Sequence, residues 1–197
     1  MTIIFLVRHG NTDWTGKRLI GATPGIHLNE IGRAQAQKVS SALAENPILA
    51  IYASPMERAL ETATPLAAQL HLSVEPVGFL KEVDFGKLQG LGPELAAVDV
   101  WSVFSRHPAR VVFPDGESVA AAQRRIVNGL NQLSDQYDES AQVVCVAHCE
   151  ILRLAVAHAL KVPLDEYMRL TIDPGSLSAL EWTPDHQVVK FLNLVPA

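Results

Sequence analysis

Three short apolar runs, residues 3–7, 48–53 and 143–147, alternate with longer stretches of helical periodicity. A run that is short and apolar throughout reads as a strand buried on both faces. Strands alternating with helices predict an α/β fold with a mainly parallel sheet, because successive parallel strands need a crossover between them. With helices on both faces the architecture is a three-layer sandwich. The whole chain of 197 residues suits one such domain.

Parallel strands place their carboxyl ends along one edge, where open α/β sheets bind ligands. Three of those ends carry informative side chains. The first run leads into Arg8, His9 and Gly10. The second leads into Ser54, with Arg58 a turn further on. The third ends at His148, just before a helix. Helix N-termini favour anions through their free N–H groups. Two arginines, two histidines and two helix starts are therefore expected to converge on one anion site. Arg8 and Arg58 suit phosphate oxygens, which forked guanidinium groups grip well, and equally suit surface ion pairs. His9 suits a nucleophile and His148 a donor to a phosphoryl oxygen; each also suits a half-buried histidine with satisfied hydrogen bonds. His27, His71, His107, His158 and His186 lie in less informative contexts.

Local signals fill in the remaining elements. Asn29 is placed to cap a helix over 30–44. Ser54-Pro55-Met56-Glu57 has the pattern of a capping box with proline at the first helical position. The helix that follows would bury Ala59, Ala63, Leu66, Ala67 and Leu70, and Pro65 should kink or split it. Residues 72–77 suit a third strand, which Pro76 places at an edge or near its own end. Val119, Ala122, Ile126, Leu130, Leu133 and Tyr137 mark an amphipathic helix starting near Ser118. A further helix spans 150–160, and residues 177–182 and 188–192 form a hairpin around Pro184-Asp185-His186. Between 78 and 117, five glycines and three prolines break the periodicity, so this stretch reads as an insertion closing over the site, with a short helix at 94–105.

Charge and cysteine content narrow the function. A net charge of −5 provides no general attraction to nucleic acid or anionic membranes, so neither is an expected partner. Two cysteines, Cys145 and Cys149, make no disulfide framework, and a reducing, cytoplasmic setting is expected. No stretch has the length of a membrane span. His148-Cys149-Glu150 contains a His-x-Glu, but no Pro-Cys-x-x-Cys follows to complete a deaminase zinc site. Strand alternation sets Cys145 opposite His148, so those two and Cys149 would not converge on a metal. Gly-x-x-x-x-Gly-Lys and Gly-x-Gly-x-x-Gly loops are absent.

Five segments, in order, resemble the motifs of the histidine phosphatase superfamily, the phosphoglycerate-mutase-like proteins. They are Arg8-His9-Gly10-Asn11-Thr12, Ala53-Ser54-Pro55-Met56-Glu57-Arg58-Ala59 with Thr62-Ala63, Leu80-Lys81-Glu82-Val83-Asp84-Phe85-Gly86-Lys87-Leu88-Gln89-Gly90, Pro114-Asp115-Gly116-Glu117-Ser118 and Val146-Ala147-His148. The resemblance implies that His9 becomes phosphohistidine and that Arg8, Arg58 and His148 bind the phosphoryl group with help from Asn11. It implies that Glu82 protonates the leaving oxygen and later activates water, a role for which Asp84 and Glu117 rank second and third. A carboxyl group in a desolvated lid should have a raised pKa, which suits that task. Two places depart from the family pattern. Cys149 follows the second histidine where glycine is usual in the mutase-like branch, and residues 23–28 replace the usual Asp-x-Pro-Leu segment.

The expected activity is metal-independent hydrolysis of a small phosphorylated metabolite through phosphohistidine, with no cofactor. A phosphoglycerate-type mutase and a non-catalytic phospholigand-binding module are the alternatives. Mutases of this kind carry a longer and more basic insertion. Here it holds only Lys87, Arg106, His107 and Arg110, which favours the hydrolase.

Overall fold

The computed structural model describes residues 1–197. The first apolar run forms most of β1 (Thr2–Arg8). Helix α1 (Glu30–Leu43), strand β2 (Ile48–Ala53), helix α2 (Glu57–Leu70) and the short β3 (Val74–Pro76) follow. After the irregular stretch come α3 (Asp99–Phe104), α4 (Val119–Ser134), β4 (Gln142–Ala147) and α5 (Cys149–Ala159), then the hairpin of β5 (Leu177–Trp182) and β6 (Gln187–Leu194). The sheet order is β3-β2-β4-β1-β5-β6. The first four strands in that order run parallel and the hairpin runs antiparallel. No helix is long and apolar enough to cross a membrane.

Strand alternation divides the core in two. Phe5, Val7, Ile51, Val144 and Val146 face Val39, Leu43 and Leu66 of α1 and α2. Ile4, Leu6, Val143 and Cys145 face Ile126, Leu130, Leu152 and Val156 of α4 and α5. Both faces are covered, which is why the central strands β1 and β4 are apolar between their end residues. Truncating a fully buried side chain such as Ile126 or Leu152 to alanine should cost about 2–5 kcal/mol.

Several local expectations hold. Asn29 caps α1, its side chain accepting the Gly32 N–H, and Ser118 caps α4 in the same way through Ala121. β3 lies at the sheet edge, where the missing N–H of Pro76 breaks no ladder. Three expectations fail. Helix α2 begins at Glu57 with Met56 as its cap and no side-chain capping bond, so Ser54 closes no capping box. Pro65 does not split α2, which runs unbroken to Leu70. The carbonyl four residues back belongs to half-buried Glu61, where water can take the bond that Pro65 cannot make. The expected helix at 94–105 is a 3-10 turn, Pro93–Ala97, followed by α3, with Val98 extended between them.

The stretch 78–117 is otherwise built from short 3-10 turns around an aromatic cluster. Phe85 lies edge-on to Phe113 and Phe104, at 4.8 and 5.9 Å between ring centroids, with Trp101 against Phe104 at 5.2 Å. Gly86 sits at φ +52°, and a Cβ there would fall 2.0 Å from the Pro114 carbonyl oxygen. Only glycine allows the two limbs of this stretch to touch here.

Candidate active site

The central parallel strands deliver three side chains to one place. The His9 N–H donates to the Ala147 carbonyl (2.9 Å) and the Ser54 N–H to the Val146 carbonyl (2.9 Å), which extends the ladder past the strand ends. His9, Ser54 and His148 therefore leave the sheet side by side. Gly10 lets the chain turn under α1: a Cβ on it would lie 2.5 Å from the Gly32 carbonyl oxygen. The Gly10 N–H donates to Thr62 Oγ1 (3.1 Å), tying the loop to α2.

His9 Nδ1 lies 2.7 Å from its neighbour's carbonyl, that of Gly10. A carbonyl only accepts, so Nδ1 carries the proton and Nε2 keeps its lone pair. The His148 ring meets that of His9 edge-on at 5.1 Å, and its Nε2 lies 2.7 Å from Ser54 Oγ. His148 Nδ1 is buried with no protein partner. Burial, reinforced by Arg58, holds the pKa of both histidines well below the usual imidazole value, so both are neutral at physiological pH.

Arg58 is fully buried although it comes from the first turn of α2. Its Nη2 donates to the Gly21 carbonyl (2.7 Å) and its Nη1 to that of Thr23 (3.3 Å). Burial lowers its pKa to about 10, which still leaves it a cation. Arg8 donates through Nη1 to the Ile172 carbonyl (2.6 Å). The Nε atoms of both arginines are buried without a protein partner. Neither guanidinium is paired with a carboxylate, and two such cations lining one cavity suit an anionic ligand.

Arg8, His9, Arg58 and Glu82 line one cavity of about 180 Å³. Glu82 is 7% exposed. Its Oε1 accepts the N–H groups of Val83 and Ile151 (both 3.0 Å) and its Oε2 that of Glu150 (3.2 Å). The carboxyl group thus serves the open N-terminus of α5, which His148 begins without a side-chain cap. Burial raises its pKa, and the nearby Glu150 carboxylate adds to this against the three N–H bonds.

Asp84 and Glu117 are occupied elsewhere. Asp84 accepts the Gly86 N–H (2.9 Å); Glu117 pairs with Arg125 (2.6 Å) and accepts the Asp84 N–H (3.0 Å). Neither lines the cavity. His148 is fully buried against His9 and is not among the lining residues, and Asn11 does not line the cavity either, contrary to expectation. Its backbone is pinned beneath α1, and its side-chain amide bonds Gln35 Oε1 (3.2 Å). Thr15 lines the cavity instead, its hydroxyl accepting the Thr12 N–H (3.0 Å). The only sequence sign of this was the Thr12-x-x-Thr15 spacing, which suits a side-chain turn. Arg18 and Glu150 also reach the cavity without having been singled out for it. His27 lies against Glu61 (2.5 Å) at the surface, and His71, His107, His158 and His186 lie outside the cavity.

Comparison with known proteins gives the chain a family. The chain is 33% identical over 156 residues to phosphoglycerate mutase-like protein 4 of Arabidopsis thaliana, covering 76% of this chain and 67% of that one. It spans about half the length of three mycobacterial relatives at 32% identity. Among solved structures, the mycobacterial glucosyl-3-phosphoglycerate phosphatase in complex with VO3 superposes with a TM-score of 0.88 at 27% identity, covering 98% of both chains. The phosphoserine phosphatase of Entamoeba histolytica in complex with 3-phosphoglyceric acid gives 0.86 at 27% identity, covering 98% of this chain and 97% of that one. The sequence match to the family as a whole runs from residue 4 to residue 195, the first strand to beyond the last, and by it the chain belongs to the histidine phosphatase superfamily, branch 1.

Proposed function

We propose that the protein is a metal-independent phosphomonoester hydrolase working through phosphohistidine at His9 on a small phosphorylated metabolite. One observation carries this reading. His9 Nδ1 is committed to the Gly10 carbonyl, so Nε2 keeps its lone pair in a cavity lined by Arg8 and Arg58, neither of them paired with a carboxylate. In the first step Nε2 bonds to phosphorus as the ester oxygen leaves, taking the proton of Glu82. In the second, Glu82 as carboxylate takes a proton from water, whose oxygen bonds to phosphorus and breaks the N–P bond. Arg8 and Arg58 hold the phosphoryl oxygens, and His148 donates to one of them. The two guanidinium groups bring the positive charge that a metal would otherwise supply.

The stretch 78–117 acts as a lid, contributing Glu82, Phe85, Trp101 and Phe104 to the cavity. Its basic side chains favour hydrolysis over mutase chemistry, since Lys87 pairs with Asp115 (3.0 Å), Arg106 bonds Ser102 (2.8 Å), and neither these nor His107 and Arg110 line the cavity. The two free cysteines support a reducing setting such as the cytoplasm as its place of work.

Rapid quench with labelled substrate should trap acid-labile phosphate on the wild type and none on His9→Ala. Inorganic phosphate should appear at the rate of substrate loss, unaffected by chelators and by 2,3-bisphosphoglycerate. Acid-stable label, or reversible loss of activity on chelation, would sink the mechanism. Interconversion of 3- and 2-phosphoglycerate without phosphate release would make the protein a mutase.

A further inference from the structure

Strand β6 is interrupted one residue before its end. Leu177 pairs with Leu194 and Ala179 with Phe191, so Ser178 of β5 faces both Leu192 and Asn193 of β6. Asn193 accommodates this bulge at φ +57°, a left-handed backbone that asparagine tolerates better than most side chains. Its N–H leaves the ladder for Ser178 Oγ (3.1 Å). Bulges blunt edge strands, and beside active sites they re-aim side chains. The re-aimed side chain here brackets Asp173. Asn193 Oδ1 accepts the Asp173 N–H (2.6 Å), and Nδ2 donates to the Asp173 carboxylate (2.8 Å).

The Asp173 N–H belongs to the same peptide group as the Ile172 carbonyl. A trans peptide is planar and points its N–H and C=O in opposite directions. Asn193 on one side therefore sets the direction of the carbonyl on the other, and that carbonyl accepts from Arg8 Nη1 (2.6 Å). A bonded N–H also makes the carbonyl a better acceptor, since hydrogen bonds in a chain polarise one another. Cys149 Sγ reaches the same oxygen only at 3.7 Å. The backbone that follows is tied to the same arginine. The Arg8 N–H donates to the Ser176 carbonyl (3.1 Å), and the Gly175 N–H to the carbonyls of Arg8 (3.1 Å) and His9 (3.3 Å). Those bonds fix where Arg8 leaves the sheet, whereas the Ile172 carbonyl fixes where its guanidinium points.

We infer that Asn193 is a positioning residue for Arg8, acting through the Ile172–Asp173 peptide group to hold the guanidinium in its place at the cavity. Asn193 touches no substrate, and its role rests on the reading of Arg8 as a ligand of the phosphoryl group. The other role open to it is to brace the β5–β6 hairpin, which would change stability and leave phosphate binding alone.

Calorimetric titration with inorganic phosphate separates the two roles. Asn193→Gly keeps the left-handed backbone and removes only the bracket. It should raise the dissociation constant about fivefold, close to the worth of one net hydrogen bond. Asn193→Asp should weaken binding too, because it sets two carboxylates face to face. Adding Asp173→Asn exchanges donor and acceptor, re-forms both bonds and should restore the affinity. In an Arg8→Gln background Asn193→Gly should cost nothing further, since a residue that acts through Arg8 has no effect once that side chain is gone. Unchanged phosphate affinity in Asn193→Gly, with or without a lower unfolding midpoint, would overturn the positioning role. So would a failure of the exchanged pair to restore affinity, or an equal loss from Asn193→Gly with and without Arg8. If Arg8→Gln alone binds phosphate as tightly as the wild type, the reading of Arg8 falls and the role of Asn193 falls with it.

Discussion

The hydroxyl of Ser54 lies 2.7 Å from Nε2 of His148, at the ends of adjacent parallel strands. The Met56 N–H points at the same hydroxyl oxygen from 3.4 Å, which leaves the Ser54 proton for His148. His148 Nε2 then accepts, and Nδ1, the atom without a protein partner, carries the proton. Ser54→Ala should release this tautomer control and lower kcat by about tenfold, a modest part of the 10²–10⁴ typical of acid–base groups, with little change in KM. Ser54→Thr should restore most of it. An unchanged kcat in Ser54→Ala would show that the hydroxyl does not select the tautomer.

Glu82 should matter in proportion to the difficulty of the leaving group. Glu82→Gln is expected to slow alkyl phosphates by about 10²–10⁴-fold and p-nitrophenyl phosphate far less. Arg125 holds the same segment through the carbonyls of Phe79 (2.8 Å) and Lys81 (2.9 Å) and through Glu117. Arg125→Met should therefore show a weaker version of the same leaving-group bias. Equal losses on both ester types in Glu82→Gln would move the acid elsewhere.

The pH profile should report the same carboxyl group. As the acid, Glu82 works protonated, so the rate on alkyl phosphates falls as pH rises through its raised pKa. Burial is the larger cause and remains in any Glu150 variant. Glu150→Gln removes the second cause, the facing negative charge, while Arg58 and Arg125 stay in place. The proton is then held less tightly, and the alkaline limb of kcat/KM should move to lower pH. A limb that stays put or moves upward contradicts the assignment.

Gly10→Ala tests the packing beneath the site. A Cβ would meet the Gly32 backbone at 2.5–2.9 Å, and backbone yields less readily than a flexible side chain. A loss of about 1–3 kcal/mol is expected in denaturant unfolding, as for other overpacked positions, together with a fall in kcat as His9 is displaced. Wild-type stability in the variant would mean that α1 can slide away from the loop.

The sequence by itself determined the sheet and most of the side chains gathered at its edge. Apolar runs ending in Arg8-His9, Ser54 and His148 specify parallel strands whose ends meet, because burial on both faces permits little else. Glu82 was legible through its motif. Local signals misled where a side chain had a stronger partner far away in sequence. Ser54 has the spacing of a helix cap but contacts His148, 94 residues on. Asn11 sits beside the histidine in sequence but is drawn to Gln35 by the close approach of Gly10 and Gly32. Only the tertiary structure decided that Thr15 and Arg18 reach the cavity and that Glu82 ends on the N–H groups of α5, about seventy residues away along the chain. These contacts depend on how irregular loops fold back over the sheet edge. Such loops lack the periodicity that makes helices and strands readable, and their paths are set by hydrogen bonds to distant backbone.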